Sequence, residues 1–112
     1  MSDCIFCRIV TGEIPSKKVF EDDRIFAFED ISPKAPTHVL VVPRQHIARL
    51  SDASPAEEAL LGALASRAAA IARDRGLSDF RVVVNNGEGA GQSVFHLHFH
   101  LLGGRSMTWP PG

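Results

Sequence analysis

Three of the five histidines in this chain take alternate positions in one stretch, His96-Leu97-His98-Phe99-His100-Leu101-Leu102. Period two is the period of a β-strand, so the imidazoles share a face, about 6–7 Å apart at a rise of about 3.3 Å per residue. Leu97, Phe99 and Leu101 then face the other way, into a core. Three neighbouring imidazoles can hold a metal, supply a nucleophile with an acid or base beside it, or form a satisfied polar strand face. Just upstream, Asn86-Gly87-Glu88-Gly89-Ala90-Gly91-Gln92-Ser93 places three glycines within five residues. Glycine lets backbone N–H groups approach an anion with no Cβ in the way. Alone, such a loop is an ordinary flexible turn. Followed directly by the histidine face, it suggests a phosphate site with a nucleophile or acid beside it.

The two cysteines make a second pattern, Cys4-x-x-Cys7. In a reducing compartment this spacing is half of a metal site or a redox pair rather than a structural disulfide. No thioredoxin-like βαβ pattern follows it, which disfavours the redox reading. A tetrahedral zinc needs two further ligands, and His46 and His96 are the candidates. They lie about 40 and 90 positions downstream, so this is not a local finger, and a buried cysteine pair without metal is the alternative.

The elements that position these groups follow from periodicity and punctuation. Cys4 to Val10 suits one or two helical turns with Ile5, Phe6 and Ile9 on one side, ended by Thr11-Gly12-Glu13-Ile14-Pro15. Lys17 to Phe20 and Arg24 to Phe28 suit a hairpin around Glu21-Asp22-Asp23. Two prolines make Asp30 to Pro36 a loop, and His38 to Pro43 is the most buried-looking strand. Ser54-Pro55-Ala56-Glu57 carries an N-cap, a proline at the first helical position and a capping glutamate. The helix it opens has an apolar stripe of Leu60, Leu61, Leu64, Ala68, Ile71 and Ala72 and ends near Arg73, Arg75 and Gly76. Phe80 to Asn85 is a strand, and the tail from Gly103 to Gly112 is irregular. Several strands at hairpin spacing with one long helix predict an α+β fold, an antiparallel sheet covered by helix on one face. A parallel sheet would need repeated crossover helices.

At 112 residues the chain suits one domain with one core, over residues 1–112. A net charge of −1 offers no general attraction for nucleic acid or an anionic membrane. No apolar run approaches a membrane span, and no basic-then-apolar leader opens the chain, so a cytoplasmic protein is expected.

The histidine stretch matches the signature His-φ-His-φ-His-φ-φ, with φ apolar, and resembles the histidine triad (HIT) superfamily. Asn85, Gly91-Gln92-Ser93-Val94 and Leu102-Gly103-Gly104-Arg105 are similar to its nucleotide-binding (Hint) branch. So are Phe28-Glu29-Asp30-Ile31-Ser32-Pro33, Ala35-Pro36-Thr37-His38 and the terminal Trp109-Pro110-Pro111-Gly112. The resemblance spans essentially the whole chain. It implies a HIT-like fold: about five antiparallel strands, one long helix, a short N-terminal helix, and a sheet continued across a homodimer.

The activity implied is hydrolysis of purine nucleoside 5′-phosphoramidates through a nucleotidyl-histidine intermediate. His98 would be the nucleophile. That role needs a neutral imidazole whose other nitrogen donates to a carbonyl. By the resemblance His100 contacts the phosphate and Ser93 lies near the leaving group. Asn85 and the Gly91–Gln92 region hold the phosphate and loop, and Asp30 accepts from the ribose hydroxyls. Ile31, with Phe6, Ile9 and Phe28, would form an apolar slot for the base, and His38 would lie near the active face, hydrogen-bonded to the triad, without an assigned step. The resemblance to C-x-x-C members of the family implies a structural zinc on Cys4, Cys7, His46 and His96, and a homodimer in which Trp109 would reach the partner's site. The competing readings are a dinucleoside polyphosphate hydrolase, a non-catalytic nucleotide-binding protein, and a zinc enzyme ligated by the triad. The last lacks a carboxylate base at metallohydrolase spacing.

Overall fold

The computed structural model describes residues 3–112. Helix α1 (Ile5–Val10) is capped by Cys4, whose sulfur accepts from the Cys7 backbone N–H. Strands β1 (Lys18–Glu21) and β2 (Ile25–Glu29) form the expected hairpin. The Asp22 carboxylate closes its turn by accepting from the N–H groups of Arg24 and Ile25, each at 2.8 Å. Strand β3 (Thr37–Pro43) is buried throughout. Helix α2 (Glu58–Asp74) leads to β4 (Phe80–Val83) and, after the glycine loop, β5 (Phe99–Gly103). All pairings are antiparallel, in the order β1-β2-β3-β5-β4, so β3 and β5 are the central pair.

Strand alternation divides the core in two. Val39 and Val41 join Leu97, Phe99, Leu101 and the Leu64–Ala68–Ile71 stripe of α2 on one face. Leu40 and Val42 join Phe26, Phe28 and the α1 residues Phe6 and Ile9 on the other. The predicted core side of the histidine stretch is therefore correct. The histidine side shares its face with α1.

Three local expectations are corrected. Ile5 is 47% exposed, because a helix of six residues can turn only two apolar side chains, Phe6 and Ile9, onto the sheet. The Ser54 capping box forms as predicted, but Pro55–Glu57 is a 3-10 turn and the α-helix starts at Glu58. The regular histidine strand begins at Phe99 rather than His96. The β3–β5 register pairs Val41 with Phe99, so two steps further Leu97 would face Pro43, which has no N–H to give. The Leu97 N–H bonds to the Ile47 carbonyl at 2.7 Å instead.

Candidate functional site

The end of the ladder at Pro43 sets the tautomers of the first two histidines of the stretch. The freed Pro43 carbonyl accepts from Nε2–H of His96 at 2.7 Å. His96 is fully buried, and its Nδ1 is left unprotonated. Its own carbonyl accepts from Nδ1–H of His98 at 2.7 Å. Nε2 of His98 therefore carries a lone pair, the tautomer that nucleophilic attack requires. The His98 ring lies 4.9 Å from that of His100 and 5.1 Å, edge-on, from that of Phe6.

Register explains the third histidine. His38 pairs with Leu102 and Leu40 with His100, so His38 and His100 are diagonal neighbours on one face. Their Nε2 and Nδ1 atoms are 2.9 Å apart. Nε2 of His100 is buried and has no protein hydrogen-bond partner among the described residues. The resemblance placed His38 near the active face and hydrogen-bonded to the triad; the β3–β5 register identifies its partner as His100.

The glycine loop is built differently from the anion cradle that its composition suggests. Gly87 and Gly91 have positive φ, 92° and 94°, where L side chains are strained. Between them Glu88–Ala90 closes a 3-10 turn. The N–H groups of Ala90, Gly91 and Gln92 bond to carbonyls of Gly87 and Glu88 within the loop. Gln92 is buried. Its side-chain oxygen accepts from the Gly87 N–H at 2.8 Å, and its amide donates to the Ala48 and Val94 carbonyls at 2.8 and 3.0 Å. Gln92 and Gly91 thus shape the loop. Asn85 is half-buried at its start and Ser93 exposed at its end.

Asp30 follows β2, where its N–H bonds to the His38 carbonyl at 3.0 Å. One carboxylate oxygen accepts from the Ser32 N–H at 2.7 Å, and the other lies 3.4 Å from His38 Nε2. Ile31 is 97% exposed and does not join Phe6, Ile9 and Phe28, which are packed in the α1 core. The Asp30 turn and the prolines that follow it, Pro33 and Pro36, keep it off the sheet. Ile31 and Asp30 instead border a cleft of about 710 Å³ with Lys17, Glu29 and Pro36.

The second predicted cluster also assembles. One donor atom from each of Cys4, Cys7, His46 and His96 lies within 4.8 Å of all the others. Nδ1 of His96 is 3.4 Å from Cys4 Sγ and 3.5 Å from Cys7 Sγ, and Nδ1 of His46 is 3.3 Å from Cys7 Sγ. A tetrahedron with Zn–S of about 2.3 Å and Zn–N of about 2.0–2.1 Å has S···N edges of about 3.5 Å. The Pro43 carbonyl supplies the outer hydrogen bond that turns the His96 lone pair toward the sulfurs. Donor types, spacing and the His96 tautomer all fit zinc, which these residues would hold between α1, the segment after β3 and the start of the histidine stretch.

Burial lowers the pKa of His38, His96, His98 and His100 below 6.5. For His100 it acts with the neighbouring His98 and His38 and brings the value to about 4. A stability prediction follows from His38 and His100. Between about pH 4 and 6.5 the unfolded chain binds protons that the folded chain refuses, so stability falls on acidification through that window and is flat above it. After discounting for partial exposure, the loss is about 1–2 kcal/mol. Urea midpoints measured from pH 8 to 4.5 should show this, with a shallower fall in His100→Asn; a flat profile in the parent protein contradicts it.

Residues 11–107 match the HIT domain, a span that contains both strands of the central pair and the whole histidine stretch. The chain belongs to the HIT domain family. This HIT domain is 46% identical over 114 residues to a 14 kDa zinc-binding protein of Zea mays, covering 99% of this chain and 89% of that one. It is equally 46% identical over 114 residues to an adenylylsulfatase of Arabidopsis thaliana, covering 99% and 78%. The crystal structure of a HIT family hydrolase from Legionella pneumophila superposes with a TM-score of 0.96 at 51% identity, over 98% of this chain and 100% of that one.

Proposed function

We propose that this HIT domain hydrolyses purine nucleoside 5′-phosphoramidates, adenosine 5′-phosphoramidate serving as the type substrate, through a nucleotidyl-His98 intermediate. The observation that carries the reading is the Nδ1–H bond from His98 to the His96 carbonyl, which leaves Nε2 unprotonated beside His100. Nε2 of His98 bonds to the α-phosphorus as the P–N bond breaks. Ser93 passes a proton to the departing amine and regains one from water. The His96 carbonyl offsets the positive charge that develops on the imidazole, and His100 donates to a phosphoryl oxygen. Water then attacks the same phosphorus, the bond to His98 breaks, and the nucleoside monophosphate leaves. Asp30 accepts from the ribose hydroxyls at the mouth of the 710 Å³ cleft, where Ile31 offers apolar surface to the base. Asn85 steadies the phosphate, and Gly91 and Gln92 hold the loop in shape.

Zinc on Cys4, Cys7, His46 and His96 is structural in this reading and would tie α1 to the start of the histidine stretch. A homodimer is supported by the open edge of β4, where Phe80 and Val82 are 39% and 38% exposed, and by Trp109, 82% exposed with its ring beside Arg81 of that strand. The proposed location is the cytoplasm.

The name of the Arabidopsis relative supports an adenylyl group as the transferred unit and points to a second leaving group, sulfate. Intact mass spectrometry after brief mixing with adenosine 5′-phosphoramidate tests the proposal. An AMP adduct that maps to His98 is expected, and faster turnover than with adenylyl sulfate or a dinucleoside polyphosphate. AMP binding without cleavage of any of the three would replace this reading with the nucleotide-binding one.

A further inference from the structure

We infer that His38 is a positioning residue, which fixes the tautomer of His100 so that its Nε2–H points into the active site. The argument starts at a group that can only donate. The backbone N–H of Lys34 bonds to Nδ1 of His38 at 3.0 Å, so that nitrogen is an acceptor and carries no proton. The single proton of neutral His38 is then on Nε2. The Asp30 carboxylate, 3.4 Å away, favours it there. Nε2–H donates to Nδ1 of His100 across 2.9 Å, so Nδ1 of His100 is an acceptor in turn. The single proton of His100 must therefore sit on Nε2, the buried atom without a partner among the described residues.

A buried polar N–H without a partner is costly in a folded protein and is explained when a ligand completes it. A phosphoryl oxygen is an acceptor of the right kind. The chain of donors from Lys34 to His38 to His100 thus ends on a donor aimed at the substrate. It also resists protonation of His100, since a second proton on Nδ1 would meet the N–H of His38 head-on. The low pKa of His100 agrees with this. Its neighbour His98 is held in the opposite tautomer by the His96 carbonyl. Adjacent imidazoles are set as an acceptor and a donor by two separate backbone groups.

The assignment of His100 as the phosphate donor rests on the function proposed above; the tautomer chain does not. Two-bond ¹H–¹⁵N correlation spectra of histidine-labelled protein separate the two consequences. At neutral pH the wild type should show His100 as the Nε2–H tautomer and His98 as the Nδ1–H tautomer. In His38→Phe, His100 should lose its single tautomer. In His38→Gln, whose amide offers both an acceptor for Lys34 and a donor for His100, it should be restored. With adenosine 5′-phosphoramidate, His38→Phe should lower kcat by about 10- to 100-fold with KM changed less than about threefold, and His38→Gln should recover most of the loss. A wild-type His100 protonated on Nδ1 overturns the inference with no variant needed. So does a His38→Phe protein that keeps the Nε2–H tautomer, or a His38→Gln protein no better than His38→Phe. If the spectra behave as expected and no phosphoramidate is cleaved even by the wild type, the tautomer chain stands and the proposed substrate falls.

Discussion

His98→Ala is expected to lower single-turnover cleavage of adenosine 5′-phosphoramidate by at least about 10³-fold and to abolish the AMP adduct, while AMP affinity changes by only a few-fold. The size of the effect follows from the lack of a substitute among the described histidines. His96 donates from Nε2 to Pro43 and turns Nδ1 toward the two sulfurs. His100 accepts at Nδ1 from His38, which puts its proton on the buried Nε2. Neither offers a free lone pair to phosphorus. His98 is buried against Phe6, so truncation also leaves a cavity. A thermal melt should accompany the assay, and His98→Asn, which fills more of the space, should be equally inactive. A residual rate within tenfold of wild type removes His98 from the nucleophile's role.

The second large effect concerns the metal cluster. Removing zinc with a chelator, or substituting Cys4→Ser with Cys7→Ser, is expected to lower Tm by more than about 10 °C. Helix α1 has six residues, too short to persist without tertiary support. Two of the four donors, Cys4 and Cys7, lie on it or cap it, and the others lie on the segment after β3 and the histidine stretch. When the tie is lost, Phe6 and Ile9 lose their hold on the sheet. Each is worth about 1.5–3 kcal/mol when buried, and about 3–6 kcal/mol corresponds to roughly 12 °C or more in a domain of this size. Elemental analysis should give one zinc per chain, and calorimetry of loaded and stripped protein gives the shift. Absence of bound metal after expression with zinc, or a shift under about 3 °C, contradicts the prediction. His96 belongs to both sites, through its ring to the metal cluster and through its carbonyl to His98. Loss of metal should therefore also loosen His98.

Much of this was determined by the sequence alone. Alternation placed Leu97, Phe99 and Leu101 in one core and the histidines on the opposite face, because strand side chains must alternate whatever packs on them. The Ser54 capping box and the α2 stripe were legible because helix starts and amphipathic faces are local patterns. The C-x-x-C and the histidine signature named the candidate ligands and nucleophile by type. Only the tertiary structure decided which proton each group holds and whom it touches, because tautomers and donor directions are set by contacts across the chain. Pro43 ended the ladder and offered its carbonyl to His96, 53 positions away. The β3–β5 register brought His38 to His100, 62 positions away. Folding of the glycine loop turned three N–H groups inward, and the Asp30 turn left Ile31 at the cleft rather than in the α1 core. A residue's type limits the protons it can hold, and its neighbours in space choose among them.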